Sequence, residues 1–208
     1  EVFRNGLTYA WQTMSVRKLI MVLVALNLTA SAYTVLLPVF ARDIFGGDAT
    51  TLGWLWGAAG CGAFSSTIFL ATRKSNAQIL GGVCAGVLLS ALALLGMGES
   101  IWFSMSMACM VVLGFGISVC NVGTLMLLQG STAGEFRGRV VAFFTSTRFG
   151  FDALGGLLAG LLAVVLGPRL TMLAEGAVLL ACAGVLLAGR GRLETQIAQA
   201  ASAAHKEG

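Results

Sequence analysis

The stretch Gly134–Gly160, GEFRGRVVAFFTSTRFGFDALGGLLAG, decides how the chain is to be read. It opens as a charged loop carrying Glu135, Arg137 and Arg139, then turns without a break into an apolar helix. Inside that helix stand Arg148 and Asp152, four residues apart and therefore on one face. Each ionised group costs roughly 2.5–3.5 kcal/mol near the centre of a membrane helix. Charges kept at that depth mark functional positions more often than packing, and they line pathways and relays. The stretch predicts a polar route beside a membrane helix.

Working outward, the composition fits that reading. Of 208 residues, 57% are hydrophobic and 11% charged, with a mean hydropathy of +0.89. A soluble domain carries about 25% charged residues, so a chain this short of polar surface is expected to be all-α and polytopic. The 28 glycines and 2 prolines suit helices packed through small residues. The net charge of +4 is spread over loops and tails, which speaks for membrane orientation and against nucleic-acid binding. Cys61, Cys84, Cys109, Cys120 and Cys182 all lie in apolar runs, form no CxxC pair and are odd in number. They read as small buried hydrophobes. The only histidine, His205, lies in the polar tail, so no catalytic group, metal ligand set or cofactor is assigned.

Residues 1–18 are too polar to span, and Phe3, Leu7, Trp11 and Met14 fall at helical spacing. They predict an amphipathic cytoplasmic connector lying along the interface. Residues 19–189 form the membrane domain, with apolar runs over Leu19–Ala41, Thr51–Ala71, Ala77–Met97, Ile101–Leu128, Val140–Leu166 and Arg169–Gly189. Each approaches the ~20 residues a bilayer requires. Residues 190–208 are a polar, Ala-rich tail, read as frayed or disordered.

Six spans put both ends on one side. That side collects Arg4, Arg17, Lys18, Arg73, Lys74, Arg137, Arg139, Arg190, Arg192 and Lys206, against Arg42 and Arg169 opposite and Arg148 within a span. The positive-inside rule makes it the cytoplasm.

Polar residues inside the spans form stripes. Asn27, Ser31, Thr34 and Pro38 share a face of the first span. Gly114, Ser118, Asn121 and Thr124 share one on the fourth with Met107 and Met110. Thr145, Arg148, Asp152, Gly155 and Ala159 share one on the fifth, with Phe151, Leu154, Leu158 and Val165 pointing away. Polar groups in lipid must face protein or a wet cavity, so converging stripes predict a substrate cavity with the Met pair as an adaptable wall. Two readings stay open for the Ser, Thr and Asn residues: cavity lining, or interhelical hydrogen bonding alone. Arg148 and Asp152 are either a structural ion pair or a gating or proton-coupling site, with Glu175 of the sixth span, at similar depth, competing for Arg148. The rows Gly53–Gly57–Gly60, Gly82–Gly86 and Gly156–Gly160 predict close helix packing.

The connector, the LLPVFARDIFGGDATTLGWL segment (Leu36–Leu55), the EFRGRVVAFF loop (Glu135–Phe144) and the polar tail, in this order, resemble the C-terminal half of a major facilitator superfamily transporter. The branch resembled is that of the enterobactin exporter and related macrolide and drug efflux proteins. The resemblance implies two inverted three-helix repeats in this half and substrate bound at midplane between two halves. It also implies that the first, second, fourth and fifth spans border the cavity or the other half, with the third and sixth as supports. The loop ATRKSNAQ, with Arg73 and Lys74 but no acid or glycine, departs from the superfamily's pattern and puts a gating salt bridge there in doubt.

The expected activity is proton-coupled export of an amphipathic small molecule such as a drug or siderophore. The expected partners are the lipid bilayer, the substrate, and either an N-terminal six-helix half or a second copy of this chain. A Glu in place of a starting Met suggests derivation from a longer protein. The competing class is a six-helix module that homodimerises or acts as a scaffold. Intramembrane proteolysis and phosphotransfer lack the Ser–His and clustered Asp constellations they need.

Overall fold

Backbone amides and carbonyls have no water to bond in a bilayer, so a spanning segment must satisfy them within itself. In the computed structural model, residues 14–130, 137–191 and 193–196 are described, with side chains from Ile20 onward. They are helical with short connections, and no strand occurs among them. Six segments are long and apolar enough to cross a membrane: Ile20–Ile44, Ala49–Ala71, Asn76–Glu99, Phe103–Gly130, Arg137–Leu166 and Pro168–Ala188. They are the first to sixth spans below. Residues 1–13, Glu135, Arg192 and the tail from 197, with His205 and Lys206, lie outside the described residues. Met14–Lys18, read as the end of the connector, continue into the first span's helix.

Local chemistry explains the helix ends. Asp48 caps the second span, its carboxylate accepting from the amides of Thr50 and Thr51 at 2.9 and 3.2 Å. These two bonds, Thr51 first, hold the Asp48 carboxyl below its ordinary value. Ser75 caps the third span by accepting from the Gln78 amide at 3.3 Å, while Gln78 Oε1 accepts from the Lys74 amide at 3.1 Å. Gly167 turns the fifth span into the sixth at φ 83°, a conformation glycine adopts without strain, and Pro168 opens the next helix.

The first span is not one regular helix. It runs Met14–Ala30, breaks at Ser31, resumes over Ala32–Val39 with Pro38 inside, and ends in a π-helical turn, Phe40–Ile44. Pro38 has no N–H for the Thr34 carbonyl. At the break the Thr34 amide and hydroxyl both donate to the Ser31 carbonyl, at 3.0 and 2.7 Å.

The spans pack through small residues, though not all those expected. A Cβ on Gly114 would meet the Ala59 carbonyl, and one on Gly62 the Val111 carbonyl, so the second and fourth spans touch backbone to backbone. Gly86 faces Cys120 and the Gly116 carbonyl, and Gly156 and Gly160 face Val35. Gly53, Gly57 and Gly60 meet nothing within 4 Å. That row is therefore not a packing row within this chain, because the second span turns its other face to the fourth. Cys61 lies on the same open side and is exposed, unlike buried Cys84 and Cys120.

The third span, packed mainly on the fourth and sixth, is 61% buried over its most apolar window, against 11% for the fifth. The fifth packs mainly on the first and leaves Leu154, Leu157, Leu161, Val164 and Val165 exposed. Beyond Gly189 the tail does not fray at once: residues 190, 191 and 193–196 are helical, and Leu193 is buried.

Candidate functional site: a mid-height cavity

Four spans leave a cavity of about 300 Å³ between them. The first supplies Tyr33, the second Trp56, Ala59, Gly60 and Ala63, the fourth Gly114, Ile117, Ser118, Asn121 and Val122, and the fifth Arg148. Most of these positions fall near the middle of their spans. The third and sixth spans supply none of its lining.

Its geometry follows from the packing just described. Gly114 brings the fourth span against the second, which aligns Ser118 and Asn121, one and two turns on, with Ala59–Ala63. Asn27 Nδ2 donates to Asn121 Oδ1 at 3.2 Å and to the Leu23 carbonyl at 2.8 Å, tying the first span to the fourth behind the cavity. Gly155 lets the fifth span lie on the Leu28 carbonyl and the Ser31 hydroxyl, where the first span breaks. That contact sets Arg148, two turns away, toward Tyr33. The Tyr33 and Trp56 rings lie 5.6 Å apart at 55°.

The expected residues separate. Ser118, Asn121 and Arg148 line the cavity. Asn27 and Ser31 are buried behind it, and Thr34 is half-buried, bonded to Ser31. Met110 is fully buried in the core and Met107 packs against it. The Met pair shares the fourth span's face but lies one to two turns from the opening, so it is not the wall expected. Thr124 is buried with its hydroxyl unpartnered, and is not in the lining.

Asp152 is half-buried one turn along from Arg148. Among the described residues Arg148 and Asp152 form no ion pair within 4.0 Å. The Arg148 guanidinium instead lies 5.1 Å from the Phe149 ring centre. Glu175 is buried in the sixth span and is not in the lining.

On the predicted cytoplasmic side, Arg73 lies over the Phe69 ring at 4.1 Å, its Nε buried without a hydrogen bond, and Lys74 is exposed. Arg137 and Arg139 belong to the first turn of the fifth helix instead of the loop, and both are exposed. Tyr33 and Trp56 were missed by sequence reasoning. Their signal is present in the sequence: Tyr33 adjoins Thr34 in the polar stripe, and Trp56 precedes Gly57 on a span that the resemblance places beside the cavity or the other half.

A family model, transmembrane secretion effector, matches residues 1–207. The chain belongs to this family. It is a major facilitator superfamily protein, a multi-pass membrane chain of the transporter class. No curated protein and no solved structure matches it.

Proposed function

We propose that this chain is the C-terminal six-helix half of a secondary exporter, moving an amphipathic small molecule out of the cytoplasm by alternating access. The observation that carries the reading is the cavity between the first, second, fourth and fifth spans, with Arg148 in its wall. Substrate bound at midplane, bordered by helices that can rock, is how such transporters work. Ser118, Asn121 and Arg148 contact the substrate. Asn27, Ser31 and Thr34 hold the broken first span in place, and Thr124 adds an unpartnered hydroxyl on the fourth span. Asp152 and Glu175 are the candidate proton carriers for antiport, because a carboxylate in a membrane is costly unless it serves a purpose.

The proposed setting is a plasma membrane, of the bacterial inner-membrane kind, with both termini cytoplasmic. The branch is the enterobactin-exporter and macrolide-efflux one, supported by the Pro38–Asp43 and Arg137–Val140 segments. The open faces of the second and fifth spans are taken to meet an N-terminal six-helix half. A second copy of the chain is the other reading, favoured by those same uncovered faces.

The test is efflux by the full-length protein with Asp152→Asn under an imposed proton gradient. Loss of gradient-driven efflux with retained exchange supports the coupling role, whereas unchanged proton-coupled efflux removes it. Native mass spectrometry from detergent separates the two pairings, since a self-pairing unit registers at twice the mass of one chain.

A further inference from the structure

Resting on the reading of the cavity as a transport site, we infer that it takes an aromatic carboxylate, with the ring on Tyr33 and Trp56 and the carboxylate on Arg148. The walls are chemically one-sided. Arg148 is the only charged group in the lining and has no carboxylate within 4.0 Å among the described residues. Asn121 Oδ1 accepts from Asn27, and its two amide N–H groups are donors for a ligand. Ser118 makes no hydrogen bond to another described residue, so its hydroxyl can donate to a ligand. Asp152, one turn along from Arg148, is not in the lining.

A guanidinium with further donors and no acid in the lining favours an anion. The planar fork matches a carboxylate through two parallel charge-assisted hydrogen bonds, and low surrounding dielectric strengthens them. The tilted Tyr33–Trp56 pair gives an arene two faces to lie against. A cationic amphiphile could stack on the same rings, but it would meet Arg148 in the wall as a like charge. The volume of about 300 Å³ is at the small end for ligand sites, which suits an acid of one or two rings.

Three probes sharing one arene test this: 1-naphthoate, 1-naphthylmethanol and 1-naphthylmethylammonium, titrated calorimetrically into the purified full-length protein. Naphthoate is expected to bind roughly tenfold to a hundredfold more tightly than the alcohol, and the ammonium more weakly than both. Arg148→Gln should bring naphthoate to the level of the alcohol, with the variant's thermal midpoint in detergent reporting that it is folded. Arg148→Lys should keep part of the preference. Equal or tighter binding of the alcohol or ammonium, a preference that survives Arg148→Gln, or binding of none of the probes overturns the inference. Flux in proteoliposomes separates it from the transporter reading. Movement of the alcohol or ammonium without naphthoate overturns the substrate class alone. Selective naphthoate binding with no flux of any probe overturns transport alone.

Discussion

A methyl group added at Gly114 would land on the Ala59 carbonyl, with backbone on both sides and nothing flexible to yield. Gly114→Ala is therefore expected to cost about 1–3 kcal/mol, as overpacking does. Gly57→Ala, into open space, should stay within about 0.5 kcal/mol. Thermal unfolding of the two variants in detergent checks the contrast, and equal losses would contradict the packing described. The Asn27–Asn121 bond is a second residue-scale claim. A double-mutant cycle with alanine should give a coupling near 0.6 kcal/mol, and not above about 1.7 kcal/mol; zero coupling would mean that the contact does not tie the spans. Asp48 carries a pH dependence. Its folded carboxyl lies below the ordinary 3.8, so its cap is fully formed above that value and lost as pH falls through the lowered one. Amide exchange at Thr50 and Thr51, corrected for intrinsic rates, should lose protection in that window, and Asp48→Ala should abolish the dependence. By sequence Gly57 stands in a predicted packing row and Gly114 on a polar stripe, because spacing does not say which face meets a neighbour.

At the scale of elements, the first span carries the irregularity on which the cavity depends. The break at Ser31, Pro38 and the π-helical turn give one span three local geometries, and Gly155 of the fifth span rests at the first of them. Unsatisfied carbonyls of this kind are tolerated in a membrane only where neighbouring groups or cavities supply partners. Pro38→Ala restores a donor for the Thr34 carbonyl. It should raise the thermal midpoint, with a gain in stability of no more than the ~3 kcal/mol that an interior proline costs, and should slow transport measured in proteoliposomes. A destabilised variant with normal flux would show that the irregularity serves packing. Pro38 was visible as part of a polar stripe, but the stripe alone could not show that the helix breaks seven residues earlier. At that break Gly155 of the fifth span lies against the Leu28 carbonyl and the Ser31 hydroxyl.

For the whole molecule, burial is uneven: the third span is enclosed while the fifth shows most of its surface. With Ser, Thr and Arg on one side of the fifth span and Leu and Val on the other, its two exposed faces ask for different surroundings. Lipid suits the Leu and Val face, and a protein or wet cavity the other. The arrangement of basic residues predicts orientation. In a variant with its five cysteines replaced, a cysteine at Gly47 should react with an impermeant maleimide added outside intact cells. One at Lys74 should react only after permeabilisation. The reverse pattern would invert the topology and with it the assignment of Arg73 and Arg137 to the cytoplasm.

The number and order of spans, their short connections and the intramembrane position of Arg148 and Asp152 were determined by the sequence alone. Each follows from run length and hydropathy, which act locally along the chain. Tertiary structure decided which side chains share a space. It joined Tyr33 and Trp56 to Ser118, Asn121 and Arg148, and it withdrew Met107 and Met110 from the lining. The physical reason is that periodicity fixes the face of a helix but not its height or rotation against a neighbour. Those are set by where Gly62, Gly114 and Gly155 allow two backbones to touch.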